Sequence, residues 1–375
     1  PQGWRDDQWS GDPRTPPMGL QSNNINRAVD QQFVTEDLSF NLKWYVTDDW
    51  ALNFDYQHVK STVDNLDASL WASSFQDLGI NLRGKKPPEV MFIPPEVCTG
   101  APSNECSTYF TGEHTSFTDP FNSFYRSAMD HIEESEGTLD AVRLDASKVF
   151  HDGDWLDSIQ FGYRYSDRDQ TARFSTYNWG SLSEIWGAGG PVWLDNPVAS
   201  QGAGYEAFYF DNFFNGGASN PLGGDGRLFY AGNAAQDYAE YIAYANAIAE
   251  EWGNSGTWMS LADRPGVIDG TPFLPSEVNP VREKNNAAYV TLTWDHEMDN
   301  GMGFSGNLGL RYTDTNRKAS GYEVFEYQEY TTEEECLAPT DPPGQPKSPW
   351  CQLDPSVRDE ARAYSDGASI PTQYD

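Results

Sequence analysis

The side chains of this chain best suited to chemistry are aromatic and acidic rather than nucleophilic. Between residues 176 and 282 stand Trp179, Trp186, Trp193, Tyr205, Phe208, Tyr209 and Phe210. Flat rings of this kind stack on the apolar faces of sugars, while neighbouring Asn and Asp side chains take up hydroxyls. Trp179, Trp186, Trp193, Tyr205 and Tyr209 are therefore candidate substrate-binding residues. The competing reading is that the same rings form a small core within their own segment. With 57 Asp and Glu, carboxylate pairs at glycosidase spacing arise by accident. There is no Gly-x-Ser-x-Gly, no His-Glu-x-x-His, no phosphate loop and no dinucleotide fingerprint. No catalytic residue is assigned, and the chain is not expected to be an enzyme. Asp152-Gly-Asp154 is too short for a calcium loop and reads as turn chemistry, and Gly223-Gly-Asp-Gly226 reads as a bend.

Cysteines come in two local pairs, Cys98 with Cys106 and Cys336 with Cys351, each in a stretch rich in turn residues. Two short disulfide-closed loops formed in an oxidising compartment are expected. Zinc is the competitor, but no Cys-x-x-Cys or Cys-x-x-His spacing occurs, and the five histidines lie far from the cysteines in sequence. No metal or cofactor is assigned.

Charge narrows the partners. Lys plus Arg number 24 against the 57 acids, a net charge of −33 that repels nucleic-acid phosphates. Aromatics make up 14% of the 375 residues, which argues against wholesale disorder. The length alone would accommodate two or three globular domains. No run approaches 18 apolar residues, so a membrane-spanning helix is not expected. A membrane β-barrel stays open, because each of its strands needs only about ten alternating residues.

The elements that must position these side chains repeat one theme. In the hairpin at about 33–62, Leu38, Phe40, Leu42 and Trp44 alternate with Ser39, Asn41 and Lys43, and after a turn Trp50, Leu52, Phe54 and Tyr56 alternate with polar residues. In the hairpin at about 139–175, Ile159, Phe161, Tyr163 and Tyr165 share a face. In the hairpin at about 283–318, Leu308, Leu310 and Tyr312 oppose Asn307, Gly309 and Arg311. Turns inside hairpins are short, whereas the segments between them, about 61–138, 176–282 and 319–375, are long. Ordinary domains rarely hold such loops, but an outer-membrane barrel alternates short turns with long external loops. Aromatics flank each short turn: Trp44, Tyr45 and Trp50, then Phe150 and Trp155, then Trp294 and Phe304. A barrel places an aromatic girdle at that height. The alternative is a soluble β-sandwich. Within the loops, a helix is expected from Asn233 through Trp252 and a shorter one over Phe121, Phe124, Tyr125, Ala128 and Ile132.

Glu283-Lys-Asn-Asn-Ala-Ala-Tyr289, Gly306-Asn-Leu-Gly-Leu-Arg-Tyr312 and Ala319-Ser-Gly-Tyr322 resemble the mid-barrel region of TonB-dependent outer-membrane receptors, the proteobacterial carbohydrate-type subgroup above all. The resemblance implies an all-β fold: antiparallel strands of a partial transmembrane β-barrel with long extracellular loops carrying short helices. It implies energy-coupled import of a large nutrient across a Gram-negative outer membrane. The partners would be outer-membrane lipid, the nutrient ligand, and the TonB–ExbB–ExbD complex acting through a plug domain. No plug, TonB box or closing strand is visible in the sequence, so an internal barrel fragment spanning 1–375 is expected. On that architecture Arg164, Arg311 and Asn307 face the lumen. The negative charge ranks a neutral oligosaccharide above a ferric siderophore, and a secreted β-rich carbohydrate-binding module is the alternative from another class.

Overall fold

A computed structural model describes residues 20–83, 88–93, 116–151, 155–185, 191–254, 256–298, 301–324, 331–339, 346–362 and 369–374. Cys98, Cys106, Trp186 and the turn residues 152–154 lie outside them.

The chain is predominantly antiparallel β-structure. Its strands are β1 (Leu20–Tyr45), β2 (Trp50–Asn81), β3 (Glu89–Ile93), β4 (Ser123–Val149), β5 (Leu156–Arg173), β6 (Asn178–Ser181), β7 (Tyr205–Phe208), β8 (Arg227–Tyr230), β9 (Val278–Glu297), β10 (Gly303–Val324) and β11 (Ser369–Tyr374). Among the described residues three α-helices accompany them: α1 (Tyr238–Glu251), α2 (Glu333–Leu337) and α3 (Pro355–Arg362). Nine strands form one sheet in the order β1-β2-β4-β5-β9-β10-β11, with β3 added to β2 and β6 to β4, and β7 pairs with β8 separately. Among the described residues this order is an open path, and no pairing closes it into a ring.

All three expected hairpins are present, and their strands are longer than the alternating patterns suggested. β1, β2 and β4 run for 26, 32 and 27 residues. The expected loop at 61–138 is thus largely strand, since β2 continues to Asn81 and β4 begins at Ser123. The short helix expected over Phe121–Ile132 does not form. A single 3-10 turn at Pro120–Asn122 is followed directly by β4. Phe124, Tyr125, Ala128 and Met129 are all buried there. A strand covered on both faces loses its polar alternation, so its apolar run imitates a helical stripe. The second helix does form, starting later than expected. Asn233 Oδ1 accepts from the backbone N–H of Ala235 and Gln236 in a turn, and α1 begins only at Tyr238.

The residues group into two compact units: 1–31, 65–132 and 175–265 in the first, and 32–64, 133–174 and 266–375 in the second. The first holds a conventional core. Tyr241, Ala245 and Ile248 of α1 pack with Leu70, Ala72, Tyr125, Leu182 and Leu194. Tyr241 also donates its hydroxyl to the carbonyls of Ser69 and Met129, joining α1 to β2 and β4. The second unit carries β5, β9 and β10 in long ladders. It also holds the Cys336–Cys351 disulfide, which matches the expected pairing. The disulfide closes a small lobe in which Arg358 is buried. Its guanidinium reaches both Glu333 oxygens and the carbonyls of Cys351 and Leu353.

Candidate functional site

Directly paired residues on adjacent strands share a face, so the ladders of the second unit resolve its sheet into rows. On one face the rows read Leu144–Tyr163–Ala288–Tyr312, then Ala146–Phe161–Val290–Leu310, then Lys148–Ile159–Leu292–Leu308. These side chains are mostly apolar and open: Leu310 is 74% exposed, Leu308 66% and, on β1, Leu38 67%. Phe40 lies 6.3 Å from Phe54, and Trp50 lies 6.3 Å from Phe161, carrying the same face onto β1 and β2.

Aromatic rings border this face at both ends. Near the short turns stand Trp44, Trp50 and the Trp294–Phe304 pair, and the Lys148 ammonium lies over the Trp50 and Phe150 rings. At the other end stand Tyr56, Tyr163, Tyr165 and Tyr312. Three of these tyrosines point their hydroxyls at polar groups: Tyr56 at Asp140 (3.1 Å), Tyr163 at Asn286 (2.8 Å) and Tyr165 at Asp167 (3.3 Å). Beyond the tyrosines the face becomes charged. Arg282 grips both Asp167 oxygens, and Lys284 lies 3.6 Å from the same carboxylate. The lower aromatic border was legible as turn-flanking residues. The tyrosine border was not read from the sequence, because its rings come from three separate strands, β2, β5 and β10, and it emerges only when these are registered.

The opposite face is polar. Its rows read Arg143–Arg164–Ala287–Thr313, then Asp145–Gly162–Tyr289–Arg311, then Ser147–Gln160–Thr291–Gly309. Arg164, Arg311 and Asn307 all lie exposed on this face. Asp145 is the hub: Arg143 Nε lies 2.7 Å from one oxygen, and the Tyr289 hydroxyl donates to the other at 2.8 Å. The Tyr289 ring covers Gly162, where a Cβ would come within 2.4 Å of ring atom Cε1. A glycine at that position is what lets the ring lie flat on the neighbouring strand.

In the first unit the predicted aromatics are not gathered into one site. Trp179 is half exposed and meets Trp71 edge-on at 4.9 Å. Tyr177, two residues before Trp179, stacks on His131 at 4.3 Å. Trp193 is buried against Phe124 and belongs to the packing. Tyr205 is half-buried against the core around α1, whereas Tyr209 is exposed. Trp71 was missed because it lies on a strand the sequence patterns did not extend that far.

Several charges in this unit are held by close partners. Asp130, fully buried, accepts from Asn178 Nδ2 (2.6 Å), the Tyr238 hydroxyl (2.7 Å) and the Leu261 N–H (2.9 Å). Burial nonetheless raises its pKa, and desolvation beside this carboxylate raises that of Tyr238. Arg227 lies between the rings of Phe117 and Phe92, bonds to Ser74 and Gln76, and is pushed down to about 10 by burial. Arg27 holds the buried Asp67 carboxylate through both Nε and Nη2, and this bond raises its own pKa. Among the described residues no group of three or more His, Cys, Asp or Glu is arranged to hold a metal ion.

Compared with known proteins, the chain matches no protein-family model, no curated protein and no solved structure.

Proposed function

We propose that the second unit is a stretch of transmembrane β-barrel wall, its apolar face toward lipid and its polar face toward a lumen, in an outer-membrane receptor that imports a large nutrient. The observation that carries this reading is the exposed apolar face bordered at both ends by aromatic rings. In water, leucines more than half exposed in a continuous sheet would be a liability. In a bilayer they are the required surface, and amphipathic rings belong where hydrocarbon meets headgroups. From Leu38 to Trp44 the band spans seven residues, and the adjoining turn residues bring it near the nine to eleven that a tilted strand needs.

The resemblance to TonB-dependent receptors fits this wall and supplies the energy source, TonB acting through parts of the receptor outside these residues. The first unit's half-exposed Trp179, set against Trp71, favours an oligosaccharide; a ferric siderophore is the competing cargo. The soluble carbohydrate-binding module fares less well, because it requires Leu38, Phe40, Leu42, Leu308 and Leu310 between packed sheets, whereas each is more than half exposed.

Reconstitution into vesicles of bromine-labelled lipid tests the reading. Bromine should quench the tryptophan fluorescence of the chain, and Trp44→Phe with Trp294→Phe should remove much of the quenched fraction. A chain that stays in the aqueous phase, with tryptophans untouched by bromine, would refute membrane insertion.

A further inference from the structure

The polar face of the second unit departs from the charge of the chain as a whole. Arg143 and Arg164 are direct cross-strand partners, a like-charge pair that costs stability unless something compensates it. Asp145 compensates Arg143 alone, and its other oxygen is taken by Tyr289. Arg164 and Arg311 are exposed and form no hydrogen bond or ion pair among the described residues. Higher on the same face, by contrast, Arg317 is matched with Glu283. A chain with 57 acids against 24 bases thus leaves two arginines without a carboxylate on one surface.

Their placement is informative. Arg164 is on β5, paired with Ala287 of β9, and Arg311 is on β10, paired with Tyr289 of β9; two inter-strand spacings and a two-residue offset put their backbones about 12 Å apart. Tyr289 stands on that middle strand, paired directly with both Gly162 and Arg311. Its ring lies flat over Gly162 of β5, two residues along from Arg164, and its hydroxyl points on to Asp145 of β4, away from Arg311. Next to the ring is a shallow depression of about 260 Å³ lined by Lys43, Asn53, Arg143, Asp145, Gln160 and Tyr289, with neither Arg164 nor Arg311 in its lining. Guanidinium forks suit carboxylates, a flat ring suits a sugar face, and amides suit hydroxyls.

We propose that this surface binds an acidic oligosaccharide of uronic-acid units, one sugar stacking on Tyr289 and two carboxylates meeting Arg164 and Arg311. This deepens the receptor reading, on which it rests, and replaces the neutral oligosaccharide expected from the net charge of −33 with an acidic one. An acidic polypeptide offers the carboxylates but not the flat hydroxylated ring that the Tyr289 platform matches, and this decides for the saccharide.

Calorimetric titration of the full chain in detergent micelles with a hexameric oligogalacturonate tests the proposal without requiring membrane insertion, so its failure is separable from failure of the bromolipid experiment. Binding should weaken about tenfold for Arg164→Gln and again for Arg311→Gln, as expected for loss of a charge-assisted bond. It should also weaken as salt rises, and Arg317→Gln should leave it unchanged. Equal affinity for the methyl-esterified oligomer, or no change in either arginine variant, would overturn the proposal. Citrate binding as tightly would overturn the two-point geometry, and hexaglutamate binding in place of the saccharide would reassign the surface to a polypeptide partner.

Discussion

The two units treat their apolar side chains in opposite ways. In the first, Ile248, Tyr241, Leu70 and Leu194 are fully buried around α1, and the charges that accompany them are held by named partners. In the second, Leu308, Leu310 and Tyr312 stand open on one side of a continuous sheet, while the charges on the other side are partly unmatched. The first unit packs a core of its own around α1, whereas the second displays a bordered apolar band on one side of its sheet, the surface that the membrane proposal accounts for.

The largest expected effect breaks the comparison at its centre. Ile248→Ala removes a buried side chain from the first unit's core and should cost about 2–5 kcal/mol, read as a shift in thermal or denaturant unfolding of that unit. The same truncation at Leu310 should be nearly neutral in detergent, because no protein cavity is left behind. Equal losses at both positions would mean that the second unit buries its apolar face against something proteinaceous.

Next comes Leu310→Arg. A charge on the lipid face near the bilayer midplane costs about 2–4 kcal/mol, falling toward the borders. Folding titrations in vesicles should show that penalty for Leu310→Arg and a smaller one for Tyr312→Arg, closer to the tyrosine border. A penalty absent in vesicles, or the same in vesicles and in water, would remove the lipid-facing assignment.

Asp130 gives the third test, on the interior side of the comparison. An asparagine in its place would have to set an amide NH₂ against Asn178 Nδ2, which is also committed to the Met259 carbonyl at 2.7 Å. Asp130→Asn should therefore cost about 1–3 kcal/mol at neutral pH. The wild-type pH dependence has a definite sign. Burial holds the folded pKa above the ordinary value of 3.8, so the folded state retains a proton that the unfolded chain has lost. This carboxylate's contribution to stability thus falls as pH rises from about 3.8 through its folded value, and is recovered on acidification. The variant should lose that slope; an unchanged pH profile of melting would show that another group titrates there.

Much of the second unit was legible from sequence, and less of the first. Alternation in 38–44, 50–56 and 304–312 identifies strands and assigns faces, because a sheet solvated differently on its two sides writes a period of two into its sequence. Cys336 and Cys351 were readable for a similar reason, local spacing in a turn-rich stretch. Around Phe124 and Tyr125 the signal failed, since both faces of β4 are covered there and no alternation survives. Features that depend on register between distant strands left no local trace: the tyrosine border, the Tyr289 ring over Gly162, and the Arg143–Arg164 opposition. Among the candidate aromatics, composition could not distinguish the buried Trp193 from the half-exposed Trp179.

The smallest expected effect concerns that last pair of rings and sharpens what exposure means in each unit. Trp179 is an open ring in the unit whose centre is a buried core. Its edge-on contact with Trp71 is worth about 0.5–1.5 kcal/mol, so Trp179→Leu should shift unfolding of the first unit only slightly. If the ring is a stacking anchor for the cargo, the same substitution should weaken oligosaccharide binding by about 1–3 kcal/mol, well beyond its structural cost. Trp193→Leu should do the reverse, since its ring is buried on Phe124 and has little face to offer a ligand. Measured side by side, unfolding and binding for these two tryptophans separate a surface kept open for a ligand from one that is merely uncovered. Parallel losses in both assays would place Trp179 with the packing.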